Sequence, residues 1–119
     1  FGATEALSDR FMLEQGENVV LSPQHLVSCD RGNMGCNGGY LGKAWSFMRK
    51  TGVASEQCYP YTSGSGTRGA CQKTCNDGSD LDKHHAEKVY QTRSVSKTQT
   101  SIMNEGPVEA AFKVYEDFM

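Results

Sequence analysis

No stretch of this chain reaches 18 consecutive apolar residues, so none of it is built to cross a bilayer as a helix. Neither charge dominates. Twelve Lys and Arg stand against 14 Asp and Glu, for a net charge of -2, which removes the basic footprint that nucleic-acid binding needs. There is no Asn-x-Ser/Thr glycosylation acceptor. Apolar residues are few, 37% with a mean hydropathy of -0.57, so 119 residues do not promise a large self-sufficient core. The first residue is not an initiator Met; Phe1 falls inside a helical pattern and Met119 inside a strand pattern. A piece cut from a longer protein is therefore expected. What the chain has in quantity is glycine, 13 residues, and cysteine, five, the composition of a loop-rich chain cross-linked in an oxidising compartment.

Along the chain, Phe1, Leu7 and Phe11 with Ala3 and Ala6 make a helical stripe through about Leu13, stopped by Gln15-Gly16-Glu17-Asn18. Ser22-Pro23 reads as a helix start, Ser as the cap and Pro in the first turn, continued by His25-Leu26-Val27. A third helix fits Leu41 to about Lys50, burying Leu41, Ala44, Trp45 and Met48, with Gly52 as its stop. From Ala54 to Asp82 no period holds. After about Lys88 the pattern becomes that of a strand: Val108, Ala110, Phe112 and Val114 alternate with their neighbours behind Pro107. Helices first and strands later predict an α+β chain, or two lobes with a boundary near residue 90.

Cys36-Asn37-Gly38-Gly39-Tyr40, running into Leu41-Gly42-Lys43-Ala44-Trp45, is the most informative segment. Two adjacent glycines leave main chain without side-chain cover, either as a tight turn or as a strip against which an extended peptide exchanges backbone hydrogen bonds. Other motifs dissolve on inspection. Gly64 to Gly69 matches G-x-G-x-x-G but follows no strand and opens no helix. Asn76 to Asp82 lacks the offsets and closing Glu of a calcium loop. Cys71, Cys75, His84 and His85 have tolerable zinc spacing, but adjacent histidines rarely ligate one ion and no second knuckle follows. A disulfide set without metal or cofactor is expected, with one cysteine of five free or paired elsewhere.

Phe1 to Arg10, Leu21-Ser22-Pro23-Gln24-His25-Leu26-Val27-Ser28-Cys29, Gly35 to Tyr40 and Gly106-Pro107-Val108-Glu109-Ala110-Ala111-Phe112 recur in this order in the papain family of cysteine proteases, and the chain resembles its cathepsin B-like form throughout. The resemblance implies a papain-like two-lobe fold. Residues 1 to about 90 would be most of the mainly helical lobe with its disulfide-rich loops, and about 91–119 the first strand or strands of the β-rich lobe. It implies a thiol endopeptidase working through an acyl-enzyme. The nucleophilic Cys is expected three residues before Phe1 and the His and Asn about 130–150 residues beyond that Cys, after Met119. No catalytic residue is expected within the chain, and the piece alone is expected to be inactive.

The same resemblance assigns a substrate cleft. Gly39 would pair with the second residue on the acyl side of the substrate, Gly38 would keep the approach open, and Tyr40, Leu41 and Ala111 would wall that residue's pocket. Relatives usually have Pro at the position of Leu41, so the wall is expected to be softer and wider. The implied disulfides are Cys29–Cys71 and Cys58–Cys75, with Cys36 bonded to an upstream Cys outside the chain. Cathepsin B carries a His-His occluding loop between extra cysteines; the segment Tyr59 to Ala70 holds neither. An open cleft without main carboxydipeptidase action is expected. Peptide or protein substrates, a propeptide and cystatin-type inhibitors are the implied partners, and a lysosomal, endolysosomal or secreted location the implied compartment. The alternatives are a non-catalytic papain-like homologue that binds rather than cleaves, and an unrelated disulfide-stapled module.

Overall fold

In the computed structural model, residues 1–118 are described. Helix α1 spans Gly2–Gln15 and buries Ala3, Thr4, Ala6 and Leu7. It ends where Gly16 takes φ 66°, a left-handed conformation natural to glycine, and the N–H groups of Gly16 and Glu17 close on the carbonyls of Met12 and Phe11. Helix α2, Pro23–Cys29, begins at Ser22. The Ser22 hydroxyl accepts from the His25 N–H at 3.0 Å and donates to the Tyr59 carbonyl at 2.6 Å, so the cap is also a tie to the next loop. Helix α3, Leu41–Lys50, packs on α1 and stops before Gly52, at φ 84°.

The core has two parts. Leu7, Leu21, Met48, Val53 and Ala86 form the larger, with Phe11, Leu26, Ala44 and Trp45 around it. Ala54, Cys58, Tyr59 and Cys75 form the smaller. The irregular stretch between Ala54 and Asp82 is held by covalent and polar ties rather than by period. Disulfides join Cys29 to Cys71 and Cys58 to Cys75, while Cys36 is free and exposed. Buried Gln24 gathers the loop over 62–68: its amide donates to Ser28, Ser63 and the Arg68 carbonyl and accepts from the Thr62 N–H. Buried polar groups satisfied in this way cost little and specify one packing.

The C-terminal quarter departs from the sequence-based expectation. Val95–Glu105 is a helix, α4, capped by Ser94, whose hydroxyl accepts from the Lys97 N–H. No strand occurs among the described residues; there are only isolated bridges, Leu21 with Ser55, Val53 with His84 and Thr74 with Asp80. The alternating segment Val108–Val114 has no ladder partner, and Phe112 and Val114 are exposed. Alternation marks which side chains share a face, but a strand exists only where a neighbour takes its N–H and C=O groups. The segment is tied to α1 at one end. Arg10 donates from Nε to the Pro107 carbonyl at 3.1 Å and from its guanidinium to the Tyr90 hydroxyl at 2.7 Å, with Glu105 at 3.6 Å.

Candidate active-site cleft

Between α2 and α3 the chain makes a short 3-10 turn, Gly35–Asn37, and then the glycine pair. Gly38 has φ 108°, a conformation that side chains disfavour. The Met34 N–H reaches back to the Gly38 carbonyl at 2.9 Å. The Tyr40 N–H is taken by Asn33 Oδ1 at 2.7 Å. Gly39 differs from its neighbours, because neither its N–H nor its C=O has a hydrogen-bond partner among the described residues. Both groups stand at an exposed position. Unspent, accessible main-chain groups of this kind are what an extended peptide requires for strand addition.

The side chains around this strip border two recesses. A recess of about 180 Å³ is lined by Phe1, Ala3, Gly38, Gly39, Tyr40 and Leu41. A groove of about 1090 Å³ runs between α1, α3 and the segment 105–111, with Leu41, Trp45 and Ala111 on its walls. Leu41 borders both, and Gly38, Gly39 and Tyr40 border only the smaller. Leu41 was expected to be buried on α3; it is instead 37% exposed, because the first residue of the helix overhangs the recess while Met48, two turns on, enters the core. The Lys43 ammonium lies 4.8 Å from the centre of the Tyr40 ring, a cation–π contact that holds the ring at the rim.

Three groups carry no assigned role at the level of sequence. Asn33 is one, and Asp30 behind it another. The third is Glu109, whose carboxylate accepts from Trp45 Nε1 at 2.9 Å and lies over the first residue of α1, Gly2. The pattern Asp30-x-x-Asn33 just ahead of a glycine pair was the available signal, since both types fold their side chains back onto nearby main chain.

No histidine is placed for chemistry here. His25 is buried, stacked on Tyr59 at 5.3 Å, and its Nδ1 accepts from the Ala54 N–H at 2.9 Å. Burial, assisted by the charge of Lys83, lowers its pKa to about 4. His84 sits against Phe11 with Glu17 at 3.4 Å, and His85 Nδ1 contacts the Arg49 carbonyl. The zinc set considered above does not assemble, because Cys71 and Cys75 are each consumed in a disulfide. The same fact disposes of the cluster of Cys58, Cys75 and Asp82, for a disulfide sulfur is not a thiolate ligand.

Residues 1–119 match the family described as "Papain family cysteine protease". Cathepsin B-like CP3 of Giardia intestinalis is 42% identical over 126 residues, which take in 100% of this chain and 42% of that protein. Cathepsin B of Dictyostelium discoideum is 39% identical over 134 residues, 100% of this chain and 43% of that protein. Among solved structures, proCathepsin B S9 from Trypanosoma congolense superposes with a TM-score of 0.77 at 27% identity, over 87% of this chain and 37% of that one. The Carica candamarcensis cysteine protease CMS1MS2 in complex with E-64 superposes with a TM-score of 0.62 at 25% identity, over 73% of this chain and 38% of that one. The chain thus spans less than half the length of these relatives.

Proposed function

This chain belongs to the papain family of cysteine proteases, in its cathepsin B-like branch, and from that premise we propose that it supplies one side of the substrate cleft of a thiol endopeptidase. Within the full-length enzyme a cysteine thiolate, three residues before Phe1 by the family motif, adds to the scissile carbonyl. The leaving amine takes its proton from a histidine, and water then hydrolyses the thioester. Gly2 to Gln15, with Phe1 ahead of them, are the body of the helix that presents this thiol, whose anionic form the helix N-terminus stabilises. Cys36 bonds a cysteine ahead of that thiol, and the free, exposed state of Cys36 in this chain is in keeping with such a partner.

The observation that carries the reading is the Gly39 peptide, with N–H and C=O both unspent beside the recess that Phe1 and Tyr40 share. Gly39 pairs with the second residue on the acyl side, Gly38 keeps the approach open, and Tyr40, Leu41 and Ala111 wall its pocket. Leu41 and Ala111 face one groove, which supports that pair of the assignment, while Tyr40 meets Leu41 in the smaller recess, which Ala111 does not border. Residues 1 to about 90 are read as the helical lobe and 91–119 as the beginning of the second, whose strands form against later chain. The segment between Cys58 and Cys71 is too short, and too poor in histidine, to build an occluding loop. We therefore read the cleft as open and the action as endopeptidase rather than carboxydipeptidase. A propeptide and cystatin-type inhibitors are its protein partners, and an endolysosomal or secreted compartment its location.

The test is hydrolysis by the full-length protein of an internally quenched peptide and of a peptide with a free C-terminal dipeptide, with and without E-64. E-64-sensitive cleavage of the first that exceeds the second supports the reading. Main release of C-terminal dipeptides rejects the open cleft, and binding without cleavage reassigns the protein to the non-catalytic homologues.

A further inference from the structure

We propose that Asn33, anchored by Asp30, is the positioning residue of the peptide-pairing strip, an inference that rests on the reading of Gly39 as the substrate's backbone partner. Asp30 caps the end of α2 and is only 6% exposed. One of its carboxylate oxygens accepts from the Gly32 N–H at 3.2 Å, and the other accepts from Asn33 Nδ2 at 2.6 Å. That second bond fixes which end of the Asn33 amide faces forward, leaving Oδ1 to accept the Tyr40 N–H. A hydrogen bond to an ionised carboxylate is shorter and stronger than a neutral one, so the relay is stiff at its root. Cys29, the neighbour of Asp30, is bonded to Cys71, and the relay therefore starts from a covalently fixed point.

The relay does two things to Gly39. It consumes the N–H that follows Gly39, so the Tyr40 amide neither competes for substrate nor rotates the Gly39 peptide inward. It also packs closely against Gly39, with which Asn33 shares the smaller recess. A Cβ built at Gly39 would lie 2.5 Å from Asn33 Oδ1, 2.7 Å from its Cγ and 2.9 Å from its Cβ. The close atoms include the root of the side chain, which rotation about its outer bonds does not relieve. Glycine at this position is therefore required by Asn33 as well as by the substrate, and the two residues act as one unit. Preorganisation of this type lowers the ordering cost of binding without touching the reacting atoms.

The experiment uses the full-length protein with Asn33→Ala and with the paired exchange Asp30→Asn plus Asn33→Asp, which keeps a donor toward one side and an acceptor toward Tyr40. Two substrates are compared, a peptide and its analogue carrying an ester in place of the amide N–H of the second acyl-side residue. Asn33→Ala is expected to raise KM for the peptide about tenfold, the equivalent of about one hydrogen bond lost, with kcat held within about twofold. For the ester analogue the rise is expected to be about twofold or less, and the paired exchange should restore most of the loss. An equal rise for both substrates, or a fall in kcat alone, overturns the proposal.

If the wild-type protein cleaves nothing, the protease reading fails and the relay is read by amide exchange in ¹⁵N-tyrosine-labelled protein instead. Asn33→Ala then speeds exchange at Tyr40 tenfold or more if the relay holds the strip, and unchanged exchange overturns it.

Discussion

His25 is the residue whose chemistry most constrains the molecule. Its ring accepts a hydrogen bond at Nδ1 and is stacked in the core, so protonation would break a bond and bury a charge together. In an unfolded chain the imidazole protonates near pH 6.5, whereas in the folded one burial holds its pKa near 4. Between those values the unfolded state binds the extra proton, so stability falls as the pH is lowered. A shift of this size corresponds to about 3 kcal/mol once both states are fully titrated. Denaturant midpoints should therefore drop steadily from pH 7 toward pH 4, and the His25 ring resonances should not move above about pH 5. A ring that titrates near 6.5 would contradict the buried, bonded arrangement. Gln24 carries a second residue-level prediction. Replacing it with Leu strips the Thr62 N–H and the Ser28 and Ser63 hydroxyls of a common partner. The expected cost is about 2 kcal/mol, read from the unfolding midpoint.

At the scale of elements, the two disulfides differ in what they hold and how they are reached. Cys29–Cys71 closes 42 residues and Cys58–Cys75 closes 17; chain-entropy arguments assign about 4 and about 3 kcal/mol to them. Cys71 is exposed, whereas Cys58 and Cys75 are both buried. Mild reductant followed by alkylation mapping should therefore label Cys29 and Cys71 before Cys58 and Cys75; the reverse order would mean that the loop over 59–74 opens first. Helices α1, α2 and α3 were legible in the sequence because each has a local signal at an end: Gly16, the Ser22-Pro23 start, and Gly52. Helix α4 was not, because Ser101 is its only buried residue and its threonines and valine mimic strand composition. The glycine pair was legible as bare main chain, since that is a property of two residues. The Asn33 relay was not, because it depends on where α2 ends relative to Tyr40. The strand expected over Val108–Val114 shows the opposite failure: the alternation is present in the sequence, but the segment pairs with no neighbour among the described residues, and burial along it does not alternate.

The whole molecule is held by small clusters and leaves much apolar surface in water. Phe112, Phe118 and Tyr115 are each about two-thirds exposed, and the long groove between α1, α3 and residues 105–111 is open. A surface of this kind belongs in contact with something. The 119-residue chain produced by itself is therefore expected to bind a hydrophobic dye and to unfold over a broad range, while the same residues within the full-length protein do neither. Arg10 sets how the far segment sits across this groove. Its four contacts, to Pro107, Gly106, Tyr90 and Glu105, join α1 to a segment nearly a hundred residues away, and Glu109 on Trp45 makes a second tie a few residues on. Removing Arg10 leaves the partly buried Pro107 carbonyl without its donor and the segment held at Glu109 alone. In the full-length protein Arg10→Ala is expected to raise amide exchange over residues 105–111 at least tenfold and, under the proposed peptidase reading in which Ala111 walls the pocket, to raise KM for peptides whose second acyl-side residue is large, because Ala111 moves with the segment. Arg10→Lys keeps the charge beside Glu105 but not the fork of planar donors, so it should rescue little of either effect. If Arg10→Lys behaves as wild type, charge alone secures the segment, and the bonds to Pro107 and Tyr90 are incidental to the width of the groove.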